Sequence, residues 1–328
     1  MGEQAKRNIY YYDIVLSTKK VEIDKNSNRK RKKTEKLSNQ GEVLRGIFQD
    51  IKRKQDAIFN ERNDAKRIDL QKDFEVETDR QDKLYVLVDE LEDDGPIKFR
   101  LILCRTDTFP FIYRNGQLDF MTDEISGDFS LAEITHCVMF PDNMVMGAEF
   151  NFNGARPSAI ATYISFKSSD VYFMQCNGKI NSEAIDKIAS GVPLSLFDLC
   201  IKNTEYMNMQ IESNKFGITS FFRTMPPEVG EYEIIMKRRK SSKQRGFDSP
   251  FTKEQYKKFI EENRDYIGRF RVSQGTYKDA IDLLNDKLVH TVPIDIKTTN
   301  KTIDRDGMYS EIIKFFNTTV ISYCDKGK

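Results

Sequence analysis

Asp295 and Lys297 form an acid-x-lysine pair in an extended stretch of the sequence, and Asp282 and Asp286 lie upstream of it. Some nucleases hold a divalent metal on carboxylates at such a spacing, and the metal activates the attacking water. The pattern predicts a metal-dependent nuclease with Asp282, Asp295 and Lys297 as catalytic candidates. Three-residue matches of this kind also arise by chance in a highly charged chain, and the alternative is an exposed strand edge.

A second set of residues is basic and indicates binding of nucleic acid. The candidate phosphate-binding residues are Lys237, Arg238, Arg239, Lys240, Lys243, Arg245, Lys253, Lys257, Arg269 and Arg271, with Arg29 and Arg31 near the N-terminus. Strand alternation places Lys237 with Arg239, and Arg269 with Arg271, on one face of their strands. If those strands are neighbours, the cations form a groove that binds duplex backbone without reading sequence. The alternative is that they pair with nearby acids or lie in water.

Other catalytic chemistry has few candidates in this sequence. There are only two histidines, His136 and His290, and each lies in a strand-like stretch, so we expect structural roles for both. The absence of a GxxxxGK[ST] sequence argues against a phosphate-loop nucleotide site. Outside the nuclease hypothesis, no metal, no cofactor and no enzymatic activity is expected.

The composition is that of a folded protein rather than a disordered one. The 328 residues are 39% hydrophobic and include 23 Phe and 14 Tyr, enough for one or two domains with a core. The longest apolar run, Leu84 to Val88, is far shorter than the roughly 18 residues of a membrane span, and no signal peptide is recognised. Five irregularly spaced cysteines favour a reducing cytoplasm over a disulfide framework.

Charge is distributed in blocks along the chain although the net charge is only +1. Residues 19–67 and 237–278 each carry a net +8, whereas residues 68–149 carry a net −12. Such blocks can create local potentials of several kT. The acidic block includes a predicted hairpin tip, Asp89 to Asp94, which is either a solvated turn or a cover for the basic groove.

The elements that would position these residues indicate an α+β fold, with mixed, mostly antiparallel sheets, hairpins and packed helices. Predicted strands and hairpins cover 7–16, 84–90 with 97–104, 133–140 with 144–152, 171–176, 194–201, 231–240 and 268–273. Predicted helices begin after Ser38, at Ser158, at Ser182 and at a capping box of Thr252 with Gln255, and an amphipathic helix closes the chain. Lys25 to Lys36 is predicted to be a mobile basic loop.

Pro226-Pro227 is the best candidate for a domain boundary. We expect an N-terminal α+β domain at 1–166 with a basic loop at 19–36, a middle α/β region and linker at 167–227, and a basic α+β domain at 228–328.

The stretch from Cys137 to Phe166 resembles bacterial phage-defence proteins related to RexA, the DNA-binding sensor of a lambdoid phage exclusion system. A hydrophobic hairpin turning at Pro141-Asp142-Asn143 leads through Asn153-Gly154 to a short helix, and Tyr232 to Ile296 is similar in outline to this family and to KwaB-type proteins. The resemblance covers about half of the chain and carries no catalytic motif, and the basic insertion Lys19 to Lys36 departs from it. It implies a homodimer that binds DNA, often beside a membrane effector.

The sequence therefore predicts a cytoplasmic protein of a bacterial anti-phage system that binds double-stranded DNA without sequence specificity, as a sensor or blocker of phage DNA. Its expected partners are DNA, a second copy of the chain and a membrane effector protein, without membrane insertion of its own. Two alternatives stay open: the nuclease effector described above, and a defence-associated protein-protein interaction module without affinity for nucleic acid.

Overall fold

The computed structural model describes the greater part of the chain. The described residues are 3–23, 30–78, 81–105, 111–114, 117–120, 130–179, 185, 186, 188, 192–202, 230–238, 246–252, 255, 256, 259, 260, 267–274, 280–284, 287–299 and 301–324. The predicted boundary at Pro226-Pro227 and most of the helix predicted from Ser182 lie outside them, although residues 185, 186 and 188 are helical.

The chain forms two compact units, and the first is discontinuous in sequence. Residues 1–179 and 289–328 form the first unit, and residues 180–288 form the second. This division differs from the expected boundaries after residues 166 and 227, because the last forty residues pack with the N-terminal part of the chain. The second unit is thus an insertion between two parts of the first.

The α+β class predicted from the sequence is confirmed. The strands of the first unit are β1 Gln4–Ile23, β2 Lys30–Lys36, β3 Val76–Glu77, β4 Lys83–Glu90, β5 Ile97–Arg105, β6 Phe111–Arg114, β7 Gln117–Phe120, β8 Leu131–Phe140, β9 Val145–Glu149, β10 Phe173–Gly178, β15 Val289–Lys297 and β16 Thr302–Ile303. The strands of the second unit are β11 Leu196–Lys202, β12 Glu231–Lys237, β13 Ile267–Ser273 and β14 Ile281–Asp282. The helices are α1 Gln40–Asn60, α2 Asp64–Phe74, α3 Ala159–Lys167, α4 Arg305–Phe315 and α5 Ile321–Cys324, with a π-helical turn Phe316–Val320 joining α4 to α5.

Strand β1 is the centre of the first unit. The main sheet runs β16-β15-β1-β9-β8-β5-β4-β3, and β10 and β2 also pair with β1. All of these pairings are antiparallel. Both predicted hairpins are present, and the second turns through a 3-10 turn at Pro141–Asn143 as expected.

Helix α1 covers one face of this sheet with an apolar stripe, which the 3.6-residue spacing of its apolar residues predicts. Leu44, Phe48 and Ile51 are buried, and the Phe48 and Phe99 rings lie 4.9 Å apart between centroids. Two details of the prediction are wrong. The residue that precedes the helix is Asn39 rather than Ser38. The same spacing predicts Arg45 on the side that faces water, but its guanidinium donates to the backbone carbonyl of Gly95 at 2.9 Å.

Helix α4 covers the opposite face. The buried hydroxyl of Tyr11 on β1 donates to the Ile312 carbonyl at 2.7 Å, which ties the helix to the central strand. The helix lies so close to β9 that a Cβ on Gly147 would be 2.5 Å from Ile312 Cγ2. Among the described residues, no helix is long and apolar enough to cross a bilayer.

The second unit is built on a four-stranded antiparallel sheet with the order β12-β11-β13-β14. One face packs on an aromatic core that includes Phe197, Phe251, Tyr256 and Phe270. The predicted capping box is confirmed, since the Thr252 N–H donates to Gln255 Oε1 at 2.8 Å and the Gln255 N–H to Thr252 Oγ1 at 3.4 Å. The other face of the sheet carries the charged residues.

Candidate nucleic-acid interface

The two strands expected to form a basic groove are not neighbours. β11 lies between β12 and β13, so that Lys237 pairs with Leu196, which pairs in turn with Ser273. The groove hypothesis assumed direct contact, which the sheet order excludes. Arg269 and Arg271 lie on one face of the sheet as alternation predicted, and the register places Lys237 on that face as well.

The Asp198 carboxylate on β11 accepts hydrogen bonds from both arginines of that face. Arg269 Nε donates to its two carboxylate oxygens at 3.0 and 3.1 Å, and Arg271 donates from Nε at 3.1 Å and from Nη2 at 2.5 Å. The Asp198 side chain is only 3% exposed, compared with 31% for Arg269 and 44% for Arg271. A carboxylate buried to this degree needs compensating charge, and the two arginines supply it.

Glu233 neutralises the same face further. Its carboxylate accepts from Arg269 Nη2 at 2.7 Å, and this hydrogen bond, with those to Asp198, raises the pKa of the Arg269 guanidinium above its ordinary value. Equal numbers of cations and acids occupy the described positions of this face: Lys202, Lys237, Arg269 and Arg271 against Asp198, Glu231, Glu233 and Asp282. Phosphate would have to compete with these acids for Arg269 and Arg271.

Backbone hydrogen bonds near both ends of the basic segment Lys237 to Arg245 join it to the residues just before β11. The Arg238 N–H donates to the Ser195 carbonyl at 2.9 Å, and Phe247 exchanges two backbone hydrogen bonds with Leu194 at 2.7 and 2.9 Å. The segment contains six cations and no acid, so its net charge is +6. Arg239, Lys240, Lys243, Arg245, Lys253 and Lys257 lie outside the described residues.

The described part of the predicted basic loop, residues 30–36, is instead one strand of a two-stranded ribbon, and residues 25–29 lie outside the described residues. Residues 30–36 form β2, which pairs with residues 17–23 of β1 in a continuous register from Ser17↔Lys36 to Ile23↔Lys30. The prediction of a loop is wrong because pairing with the end of a long strand outweighs the poor strand propensity of a lysine-rich segment. β10 accompanies β1 only as far as Ser17, so the described ribbon beyond that point has two strands. Arg31 lies in β2, and Arg29 lies outside the described residues.

Acids and cations are divided unequally between the two faces of this ribbon. The backbone register puts positions 17, 19, 21 and 23 on the same face as 30, 32, 34 and 36. This face has four lysines, Lys19, Lys30, Lys32 and Lys36, and no acid, and we call it the acid-free face. The opposite face has Lys20, Arg31 and Lys33 together with Glu22 and Glu35.

An exposed tyrosine lies at the base of the acid-free face. The Lys19 ammonium lies 4.9 Å from the centroid of the Tyr172 ring, a cation–π contact that holds the first cation of this face over β10.

The acidic hairpin tip makes ion pairs within the first unit. Asp89 accepts both Nε and Nη2 of Arg100, at 2.9 and 2.7 Å, and the Tyr309 hydroxyl at 2.6 Å. Glu90 pairs with Lys98. These two acids therefore already have counter-charges beside them, which does not favour the idea that they serve as a cover for a basic groove.

Both histidines have contacts that fit structural roles. His136 is buried and its Nδ1 lies 2.6 Å from Glu149 Oε2, and its ring contacts Tyr309 edge-on. The His290 ring stacks on Phe315 with 4.2 Å between centroids. Each histidine thus links a strand of the main sheet to a neighbouring strand or to helix α4.

The residues of the nuclease hypothesis are placed in different units. Asp295 and Lys297 lie on β15 of the first unit, where Asp295 accepts from Gln4 Nε2 at 2.9 Å and Lys297 is 3.4 Å from Asp304. Asp282 lies on β14 of the second unit, and Asp286 lies outside the described residues. Over the described parts of the chain, these acids form no three-ligand group at metal-binding distances.

One group that sequence analysis missed has the geometry of a metal site, namely Cys200, Glu231 and Glu233. Their spacing of about thirty residues matches no sequence motif, and only the β11–β12 register brings them together. The Cys200 thiol donates to Glu231 Oε1 at 2.8 Å, and Glu233 already accepts a hydrogen bond from Arg269. The donors are thus engaged with one another, and the arrangement is that of a polar network.

The Cys200 thiol should be unusually resistant to deprotonation. Burial, and next the hydrogen bond to Glu231, raise its pKa from an ordinary 9.0 to about 11. At pH 8 the thiolate population should therefore be about 100-fold smaller than that of an ordinary thiol. Iodoacetamide labelling followed by peptide mass spectrometry should show slow modification of Cys200, and Glu231→Gln should move its pH–rate profile to lower pH. Identical profiles for the two proteins would contradict the assigned role of Glu231.

No protein-family model and no curated protein matches the chain.

Proposed function

We propose that this protein binds double-stranded DNA without sequence specificity, and that the acid-free face of the ribbon is its principal contact surface. The observation that carries the proposal is the register of β1 and β2, which gathers four lysines on one face and leaves the acids on the other. Two strands lie about 4.8 Å apart, and a two-stranded ribbon of this width fits the roughly 12 Å major groove of B-DNA. Lysines at alternate positions would contact phosphates of the groove walls.

The basic segment Lys237 to Arg245 supports the proposal as a second contact. Its net +6 is attached to the fold at Leu194 and Ser195, so DNA bound there would meet a high local density of cations. Arg269 and Arg271 have a different role in this proposal. They stabilise the sheet through Asp198 and contribute little to phosphate binding.

The biological setting is part of the same proposal and rests on the resemblance to RexA and KwaB proteins. It comprises action as a sensor or blocker of phage DNA, a homodimeric state and a membrane effector as partner. Placement in the cytoplasm is supported by the five cysteines, none of which forms a disulfide.

A salt titration of DNA binding tests the proposal. A 30-base-pair duplex of arbitrary sequence should bind, and a second unrelated duplex should bind equally well. The logarithm of the affinity should fall linearly with the logarithm of salt concentration, with a slope of about −0.9 for each phosphate contacted. Four ribbon lysines alone predict a slope near −4. Affinity that is insensitive to salt, or no retention of DNA at all, would contradict the proposal.

Parallel measurements address the two alternatives. Plasmid incubated with the protein and Mg²⁺ or Mn²⁺ should stay intact, whereas cleavage that is lost in Asp295→Asn would favour the nuclease. Oligomerisation that depends on salt, without DNA retention, would favour the interaction module. Single-stranded DNA and double-stranded RNA serve as competitors, and preference for either would contradict the duplex-DNA assignment.

A further inference from the structure

A cavity of about 260 Å³ lies in the first unit between helices α1 and α2 and strands β4 and β5. Its walls are mostly apolar, and Ile58, Phe59, Phe74, Leu87 and Ile102 contribute to them. The Phe59 side chain is 66% exposed, whereas Phe74 is buried. The cavity therefore has an apolar floor on the sheet and an aromatic side chain at the surface.

The polar side chains around the cavity are hydrogen-bonded to protein groups. Gln55 uses both ends of its amide on the backbone of Val88, accepting its N–H at 2.7 Å and donating to its carbonyl at 3.1 Å. Gln71 Nε2 donates to the Tyr85 hydroxyl at 3.3 Å, and that hydroxyl donates to Glu75 Oε2 at 2.7 Å. A guest in the cavity would meet satisfied polar groups and apolar surface, so a polar guest would lose its hydration without compensation.

We propose that this cavity is a binding site for a small apolar molecule with one or two rings. The volume of the cavity limits the size of the bound molecule. A dry apolar cavity of about 150 Å³ accepts benzene, and this one has room for a second ring. A folded protein partner would need a contact of several hundred Å² per side, far more than this cavity provides. Apolar transfer from water supplies the driving force. The proposal does not depend on DNA binding.

The alkylation rate of Cys104 can report whether a molecule is bound in the cavity. Its thiol lines the cavity beside Ile102, and burial raises the pKa of this thiol above its ordinary value. Alkylation of Cys104 should therefore be slow but measurable at alkaline pH, and a guest that fills the cavity should slow it further. Cys176 on β10 is also half-buried, does not line the cavity, and is the internal control in the same molecule.

The experiment measures alkylation of the full-length chain by peptide mass spectrometry, with naphthalene as the probe. At a naphthalene concentration ten times its Kd, about nine in ten cavities are filled, so the Cys104 rate should fall about tenfold and the Cys176 rate should not change. An unchanged Cys104 rate up to the solubility limit of naphthalene, or equal slowing of both cysteines, would overturn the proposal.

Two variants and one matched control complete the test. Phe59→Ala removes one wall and should weaken naphthalene binding about fivefold or more. Leu87→Phe fills part of the volume and should abolish protection of Cys104, with far-UV circular dichroism confirming that the protein is folded. Phe166→Ala removes an equally exposed helical phenylalanine that does not line the cavity, and should leave binding unchanged. Wild-type affinity in both cavity variants, or weaker binding in the Phe166 control, would overturn the assignment of the site.

Discussion

Replacing Arg269 and Arg271 together by alanine should lower the free energy of unfolding of the second unit by about 3–5 kcal/mol. The reason is the Asp198 carboxylate, which is 3% exposed and would lose the four guanidinium hydrogen bonds that now compensate its charge. Removing partners from a buried charge costs far more than the pair contributed, because the charge cannot regain its hydration. Hydrogen exchange of the β11 peptide, Leu196–Lys202, should accelerate in proportion.

Two further variants distinguish the effect of the uncompensated Asp198 carboxylate from that of a general loss of positive charge. Adding Asp198→Leu to the double variant should recover most of the lost stability, since no buried charge then remains. Lys202→Ala removes an exposed cation of the same face at the far end of β11 from Asp198, and should change stability by less than about 0.5 kcal/mol. If the double variant keeps wild-type stability but loses DNA binding, the two arginines are phosphate contacts after all, and our assignment of them to the sheet is wrong.

Replacing Lys30, Lys32 and Lys36 by alanine should reduce the affinity for duplex DNA by about 10²–10³-fold at 0.1 M salt. Each lysine that neutralises a phosphate releases about 0.9 counterion, so the salt dependence should also become shallower by about 2.7 in logarithmic slope. Fluorescence anisotropy of a labelled duplex at several salt concentrations measures both quantities. These lysines lie at alternate positions of one strand, so the substitutions alter a single face of the ribbon.

The opposite face of the same ribbon provides the matched control. Substituting Lys20, Arg31 and Lys33 by alanine removes the same number of charges from the same ribbon, one from β1 and two from β2. The effect on DNA affinity should be much smaller, because Glu22 and Glu35 already offset the cations on that side. Equal losses for the two triple variants would show that DNA responds only to the total charge, and would contradict the assignment of the acid-free face.

Local sequence patterns predicted most of the elements whose formation depends on residues close together in the sequence. The α1 stripe of Leu44, Phe48 and Ile51, both hairpins and the Thr252 capping box depend on residues close in sequence, and periodicity or turn chemistry identifies them. The alternation of Arg269 and Arg271 was predicted for the same reason. Periodicity could not predict which residues lie beside these arginines, because it contains no information about which strands are neighbours.

The candidate site shows this limit most clearly. Asp198 is 71 residues from Arg269 in sequence and 73 from Arg271, and only the insertion of β11 between β12 and β13 brings the three together. The prediction of a loop at Lys30–Lys36 was wrong for a related reason. The composition of Lys30–Lys36 indicates a solvated loop, and its strand conformation depends on pairing with the far end of β1. Long-range pairing therefore determined both the neutralised arginines and the acid-free face.

The pairing of β1 with β15 has a consequence for the order in which the chain can fold during synthesis. Gln4 to Tyr10 pair with Val289 to Asp295, and the Tyr11 hydroxyl needs the carbonyl of Ile312. At about 5–20 residues per second, a ribosome would need roughly 15–60 s to make the intervening chain. During that interval β1 exposes an unpaired edge and an uncovered apolar face. Chaperone demand during translation should therefore be concentrated on β1.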